Sequence, residues 1–220
     1  MNIFDIIGPV MVGPSSSHTA GAVRIGLISR KLLGEKVVEA KLYMHGSFLA
    51  TGKGHGTDKA VIAGLMGMAV DDIRIPDSFE IAREAGVSFE FHPIELADAH
   101  PNSIKLQLKG ETGKTLDIIA ASIGGGRIKI CEIDGLSANF EGDYPTLVVH
   151  NQDQPGQVLS IATMLAKHTI NIASIQSFRG ARGGYAVMVI ECDHEIPEES
   201  IEWLRKQEGI LKVTYLSLNV

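Results

Sequence analysis

The sequence predicts an α+β fold divided into two domains, and three observations support this. Helix-like runs, in which apolar residues recur three or four positions apart, are interspersed with strand-like runs of alternating apolar and polar residues. A polar, turn-rich stretch at residues 141–145 separates a domain at 1–143 from a second domain at 146–220. Hydrophobic residues make up 45% of the chain, so both domains have enough apolar side chains for a core.

The first domain should begin with a short apolar lead-in at 3–12. A helix is predicted from Thr19 to Leu33, because its apolar residues cover a broad face and Gly34 is a typical C-terminal stop. The other predicted elements of this domain, in chain order, are a strand at 37–44, a loop at 46–58, a helix at 58–68, a brief strand at 71–75, a helix at 78–85, a strand at 87–92, a loop at 93–101, and strands at 103–109, 114–122 and 127–133.

The second domain has the cleaner pattern. Its predicted elements are a strand at 146–150, a helix at 157–168, strands at 170–179 and 185–192, a helix at 197–207, and a strand at 210–218. Pro197 suits the first turn of its helix. The order βαββαβ is that of the ferredoxin-like split βαβ fold.

The charge and hydropathy of the chain limit its partners. A formal net charge of -6 argues against nucleic acid and against anionic membrane, because both attract basic surfaces. No stretch approaches the roughly 18 uncharged apolar residues of a membrane span. The N-terminal residues lack the basic region and apolar run of a signal peptide. We therefore expect a cytoplasmic protein that binds neither nucleic acid nor membrane.

The two cysteines lie far apart, each in an apolar, strand-like run. Cys131 and Cys192 are therefore predicted to be small buried hydrophobic residues rather than a disulfide. Two thiols cannot supply a four-cysteine zinc or iron–sulfur site, so no metal ligands are assigned to this chain. Any such centre would have to be held by another chain.

A first polar motif precedes the first long helix. It consists of five consecutive residues: Ser15, Ser16, Ser17, His18 and Thr19. The first N–H groups of a helix have no intrahelical partner, and beside hydroxyl donors they form a site for a carboxylate or phosphate. His18 adds a group that exchanges a proton near neutral pH. The simpler interpretation is one ordinary N-cap serine among polar loop residues.

A second polar motif, residues 46–58, is rich in glycine. It is not a P-loop, because five residues separate Gly46 from Gly52 and Gly54 stands where serine or threonine is required. A lone His55 would more often be structural. Beside Thr57 and Asp58, in a loop whose glycines allow close approach to a ligand, it is a candidate functional residue. Asp58 would either orient His55 or cap the next helix.

Together the two motifs resemble the iron–sulfur-dependent L-serine dehydratase family, and the whole chain is similar to the beta subunits of its two-subunit members. The resemblance implies deamination of L-serine to pyruvate and ammonia, with a [4Fe–4S] cluster held by an alpha subunit. We hypothesise that the first motif's hydroxyl residues bind the substrate carboxylate: Ser15, Ser16, Ser17 and Thr19. His18 and His55 would transfer protons, supported by Thr57 and Asp58. The identity of the base stays open, and a serine alkoxide in either subunit is a competitor.

The second domain resembles the ACT domain, a regulatory module that binds amino acids at paired interfaces. The matching residues lie at 151–156 and 170–172. The resemblance implies self-association and an effector site formed by Asn151, Gln152, Asp153, Pro155, Gly156 and Asn171. The alternative is a loop that only joins strand to helix in a dimerisation element.

Two rival hypotheses belong to other functional classes. In the first, the chain is a regulatory and assembly subunit, and both polar motifs bind an effector. The regulatory domain of some phosphoglycerate dehydrogenases resembles the first domain in fold but lacks the two motifs. In the second, the chain is a free-standing amino-acid-binding protein, which would require tight binding of serine by the isolated chain.

Overall fold

The structure, a computed structural model, describes residues 10–218. Contacts divide the chain into two compact units, residues 1–134 and 135–220. Most of the lead-in predicted at 3–12 lies outside the described residues, and the domain boundary predicted at 141–145 stays a prediction. None of the helices formed by residues 10–218 is long and apolar enough to cross a membrane.

The first unit contains five strands and four α-helices among its described residues. A π-helical turn, Ser16–Ala20, leads directly into the first helix. The elements are α1 (Gly21–Leu33), β1 (Val37–Met44), α2 (Gly46–His55), α3 (Thr57–Leu65), α4 (Ser78–Glu84), β2 (Ser88–Pro93), β3 (Ser103–Gly110), β4 (Thr115–Gly124) and β5 (Arg127–Ile133). The predicted helix at 19–33 is confirmed, and it ends at Gly34, whose φ is 76°.

The strands of the first unit form a sheet in the order β2-β1-β3-β4-β5. β1 and β2 run parallel, and the other neighbouring pairs are antiparallel. The strands bury alternate residues, such as Ile104, Leu106 and Leu108 of β3, as the period of a pleated strand requires. α1 packs against β4 and, more extensively, against α3. The start of α1 is thereby held beside the α2–α3 segment.

The loop predicted at 46–58 is wrong, because most of it is helix α2. Its glycines disfavour a helix, but burial of Phe48 and Gly52 outweighs that local preference. The Ser47 N–H donates to the Pro101 carbonyl at 2.7 Å and anchors the first turn. Gly56, with φ 68°, ends the helix and allows α3 to begin at once.

Two further elements differ from prediction. The brief strand predicted at 71–75 is wrong: the segment forms turns that lead into a 3-10 turn at Ile75–Asp77, with Pro76 in its first turn. An unpredicted strand, β6 (Leu136–Phe140), lies in the turn-rich region before residue 141. There the Asn139 side-chain amide donates to the Gln176 side-chain carbonyl at 3.1 Å, and the Gln176 amide donates to the Asn139 backbone carbonyl at 2.8 Å.

The second unit has the predicted ferredoxin-like βαββαβ order after β6. Its elements are β7 (Thr146–Gln152), α5 (Gln157–Lys167), β8 (Ile172–Arg179), β9 (Tyr185–Cys192), α6 (Glu198–Arg205) and β10 (Ile210–Leu216). The sheet order is β10-β7-β9-β8, with every neighbouring pair antiparallel. Its core includes Leu147, Ile161, Leu165, Ile190 and Leu204, contributed by both strands and helices.

Candidate active site

The serine-rich motif forms the widened first turn that leads into α1. Ser15 is its N-cap in an extended conformation, and its hydroxyl accepts a hydrogen bond from the His18 N–H at 3.1 Å. The Gly21 N–H bonds to the Ser16 carbonyl five residues earlier, which makes the turn π-helical. The ordinary N-cap role predicted for one serine therefore belongs to Ser15.

The imidazole of His18 is hydrogen-bonded at both ring nitrogens. Its Nδ1 lies 3.0 Å from the Ser17 hydroxyl, and its Nε2 lies 2.9 Å from the Ser47 hydroxyl. The Ser17 hydroxyl is in turn 3.4 Å from that of Ser15. A continuous chain of polar groups therefore runs from the N-cap through His18 to α2.

The structure brings the two histidines of the two motifs together. The ring centroids of His18 and His55 are 5.0 Å apart, and the buried ring of Phe48 lies edge-on to His18 at 5.5 Å. Burial lowers the pKa of His18 below its ordinary value of 6.5, and the charge of a protonated His55 lowers it further. His18 is therefore held in its neutral form near pH 7.

Two buried polar atoms of the second motif have no hydrogen-bond partner among residues 10–218. They are the Nδ1 atom of His55 and the hydroxyl of Thr57, whose side chain is fully buried. The Thr19 hydroxyl donates to the His55 carbonyl at 3.1 Å and ties the α2–α3 junction to the first motif. Buried polar groups without partners are rare in native proteins, so a bound ligand or water is expected at these two atoms.

Asp58 lies apart from the contacts of the histidine pair. Its carboxylate accepts a hydrogen bond from the Lys59 N–H at 2.8 Å, in the first turn of α3. The side chain also lines a cavity of about 240 Å³ with Lys53, Phe91 and His92. The N-cap of α3 is Gly56, with no side-chain cap bond, so the predicted capping role of Asp58 is wrong; its bond to the Lys59 N–H lies within the first turn.

Comparison with known proteins relates the sequence of this chain to a family. A family model described as serine dehydratase beta chain matches residues 2–85. The probable L-serine dehydratase beta chain of Bacillus subtilis (strain 168) is 40% identical over 216 residues, which cover 98% of each chain. The chain belongs to the L-serine dehydratase beta chain family. The L-serine dehydratase beta chain of Peptoniphilus asaccharolyticus is 37% identical over 89% of this beta chain and 88% of its own length.

Two further comparisons concern parts of the beta chain or of its relatives. An ACT domain model matches residues 145–209, in agreement with the βαββαβ unit. A D-3-phosphoglycerate dehydrogenase of Bacillus subtilis is 25% identical over 90% of the beta chain, but this match spans only 37% of that protein. The predicted resemblances to the L-serine dehydratase beta chain family and to the ACT domain are thus confirmed.

The beta chain has two site residues that the motif interpretation did not assign. Ser47 binds the ring of His18, and Phe48 packs against the same ring. Both were hidden because the glycine-rich segment was predicted as a loop. With α2 in place, Ser47 and His55 are eight residues apart on one helix and lie on the same side of it. This helical spacing was the sequence signal that could have placed Ser47 beside the histidines.

The predicted effector residues of the ACT domain do not form one cluster in a single copy. Asn151 lies at the end of β7 and pairs in register with Ala186, whereas Asn171 precedes Ile172, which pairs with Cys192. These two positions on β9 are six residues apart, or about 20 Å along a strand. β7 and β8 run in the same direction, so the end of β7 and the start of β8 lie at opposite ends of the strands.

Local hydrogen bonds already engage several of these effector residues. The Asp153 carboxylate accepts from the Gly183 N–H at 3.0 Å and from Arg179 at 3.2 Å, and these bonds lower the pKa of Asp153. Asn171 donates to the Asp193 carboxylate at 2.7 Å. The Asn151 Oδ1 atom is buried and lacks a partner in the part of the chain that the structure describes. Gln152 and Pro155 are exposed, and Gly156 begins α5 with φ 98°.

The cysteines of the beta chain do not fit an iron–sulfur cluster. Cys131 lies in β5 of the first unit and Cys192 in β9 of the second. Burial raises the pKa of both thiols, that of Cys192 to about 11, whereas iron ligation requires a thiolate. Within residues 10–218 no three His, Cys, Asp or Glu side chains are grouped to hold a metal.

Proposed function

We propose that this chain is the beta subunit of a heteromeric L-serine dehydratase, which converts L-serine to pyruvate and ammonia. The observation that carries the proposal is the pairing of His18 with His55 beside two buried polar atoms without described partners. Such atoms are expected where a polar substrate completes the hydrogen bonding. Membership in the beta chain family supports the choice of substrate.

Within the first motif, the carboxylate of serine is best matched by Ser16 and Ser17. The N–H groups of His18, Thr19 and Ala20 already bond to Ser15, so an anion would bind at the N–H groups of the two residues before them. The Ser16 hydroxyl also has no partner among the described residues. Ser15 supports this turn through its bond to the His18 N–H. The Thr19 hydroxyl is already committed to the His55 carbonyl, so Thr19 contributes by fixing His55.

Proton transfer is assigned to the two histidines. A base takes the α-proton of the substrate serine, and the substrate hydroxyl departs with a proton as water. The aminoacrylate that forms then tautomerises to an imine. Water then hydrolyses the imine to pyruvate and ammonia. Because both nitrogens of His18 are already hydrogen-bonded, His55 is the better candidate for the group that exchanges a proton with substrate. Thr57 offers its hydroxyl to the same substrate, and Asp58 supports α3.

We further propose that an alpha subunit completes the site and holds the [4Fe–4S] cluster. The proposal rests on the family and on the poor fit of Cys131 and Cys192 to such a cluster. No step assigned above to this chain depends on the cluster.

Reconstitution with an alpha chain tests the proposal. We expect His18→Ala and His55→Ala each to lower kcat by at least about tenfold, the low end of an acid–base contribution. Ser88→Ala, an exposed change at the first residue of β2, is the control and should retain full activity. If the alpha chain alone retained full kcat, and this chain altered only the dependence on serine concentration, the regulatory alternative would replace the proposal.

For the ACT domain we propose self-association that completes an effector site. Two copies placed head to tail would bring Asn171 of one copy beside Asn151 and Asp153 of the other, which one copy alone holds about 20 Å apart. Sedimentation velocity of the full chain, with and without L-serine, tests this. A monomer under both conditions would refute it.

A further inference from the structure

Ser47 occupies a fixed position at the start of α2. Its N–H donates to the Pro101 carbonyl at 2.7 Å, and the His45 N–H donates to the Ser103 carbonyl at 3.1 Å. Gly46 packs so closely on Pro101 that an added Cβ would lie 2.6 Å from the Pro101 carbonyl oxygen. The beginning of β3 therefore anchors the first turn of α2 and the Ser47 hydroxyl with it.

The hydroxyls of Ser17 and Ser47 hold the His18 ring from opposite sides. A neutral imidazole has one donor and one acceptor nitrogen, so one serine must accept a proton from the ring while the other donates to it. Phe48, edge-on to the ring, opposes rotation about the side chain. The ring plane and the tautomer of His18 are thus determined by the same small set of groups.

The two serines differ in what they attach the ring to. Ser17 precedes His18 directly and moves with the same turn, so its bond cannot fix His18 relative to another element. Ser47 lies 29 residues away and belongs to the helix that also carries His55. The bond from Ser47 therefore sets the position of the His18 ring relative to that of His55.

We propose that Ser47 is a positioning residue, which fixes the orientation and tautomer of His18 and hence its spacing from His55. The inference rests on the proposed function, because it assumes that the two histidines serve the reaction. Ser47 acts through His18 and is not required to touch the substrate. It links the first motif to the second, and neither motif alone contains the contact.

Nitrogen-15 NMR of the His18 ring in the full chain tests the contact without any assay of turnover. Wild-type protein should show one dominant tautomer. In Ser47→Ala the ring should become a mixture of tautomers with a changed pKa, whereas Ser47→Thr should keep the wild-type pattern because it retains the hydroxyl. Ser88→Ala is the control for loss of an exposed serine hydroxyl. Unchanged His18 signals in Ser47→Ala would overturn the inference.

Kinetics of the reconstituted enzyme test the consequence. We expect Ser47→Ala to lower kcat by about tenfold, the effect of one lost hydrogen bond to a functional group, with KM changed less than about twofold. Ser47→Thr should recover kcat to within about threefold of wild type. If Ser47→Thr were as impaired as Ser47→Ala while its His18 signals stayed wild-type, Ser47 would act on substrate directly and the positioning role would be refuted.

The two experiments separate this inference from the proposed function. Altered His18 signals in Ser47→Ala, with full kcat in both Ser47→Ala and His18→Ala, would mean that Ser47 positions a ring that turnover does not use. The proposed function would then fail. Impaired His18→Ala together with fully active Ser47→Ala would leave the proposed function standing and reject the positioning role.

Discussion

Replacement of Gly64 by alanine tests the close crossing of α1 and α3. This crossing holds the start of α1 beside the second motif. A Cβ at Gly64 would lie 2.0 Å from the Val23 carbonyl oxygen and 2.7 Å from the Leu27 nitrogen. Both neighbouring atoms are backbone atoms of α1, so no side chain can rotate away. The two helices would have to separate by about 1 Å, since real Cβ contacts under 3.0 Å essentially never occur.

The expected destabilisation follows from two opposing effects. Overpacking of a well-packed interior destabilises by about 1–3 kcal/mol, and contact with rigid backbone favours the upper end of that range. Alanine gains about 1 kcal/mol over glycine in helix propensity. The net loss in free energy of unfolding should therefore be about 2 kcal/mol, which lowers the Tm of a unit of this size by about 7 °C.

Urea denaturation of Gly64→Ala and Gly54→Ala measures this difference. Gly54 is also helical, in α2, but no atom lies within 4 Å of its added Cβ. Gly54→Ala should therefore stabilise the protein by up to about 1 kcal/mol. If Gly64→Ala were as stable as Gly54→Ala, the close crossing of α1 and α3 would be wrong.

Three other predictions concern the site and the ACT domain. Because the pKa of His18 is lowered on folding, stability should fall as pH drops below about 6.5 and level off below the folded pKa; His18→Gln should flatten this part of a pH series of urea denaturation curves. Thr57→Val should leave stability unchanged or raise it by about 1 kcal/mol, because it removes a buried hydroxyl without a described partner, yet kcat of the reconstituted enzyme should fall at least about tenfold. Asp153→Ala should release the turn at Gly183, detectable as faster amide hydrogen exchange there, while Glu199→Ala on α6 should not.

The sequence predicted the second unit more accurately than the first for a physical reason. In the βαββαβ unit each element carries its own period of apolar residues, as in β8 with its strict alternation of burial. Local pattern and tertiary packing therefore agree. In the segment 46–58 they conflict: its glycines disfavour a helix, and only burial of Phe48 and the anchor at Pro101 impose one. These two contacts depend on the tertiary fold and cannot be predicted from the local sequence.

The same limitation affected the candidate site. The motifs identified His18 and His55 by residue type, and the structure brings their rings together. The contact of Ser47 with His18 could not be predicted while α2 was taken for a loop. The grouping of Asn171 with Asn151 was implied by the resemblance to the ACT domain, and the parallel direction of β7 and β8 separates them within one copy.

Thr57 gives a thermodynamic reason for the proposal that substrate binds at this site. A buried hydroxyl without a partner destabilises the folded protein by about 1–3 kcal/mol, and valine would fill the same space without that loss. The buried Nδ1 of His55 carries a similar penalty. The two losses lie two residues apart in the chain, near a histidine whose own nitrogens are both hydrogen-bonded. A polar substrate that completes both bonds would recover the lost free energy on binding, which is how a site becomes selective for a hydrogen-bonding ligand over an apolar one.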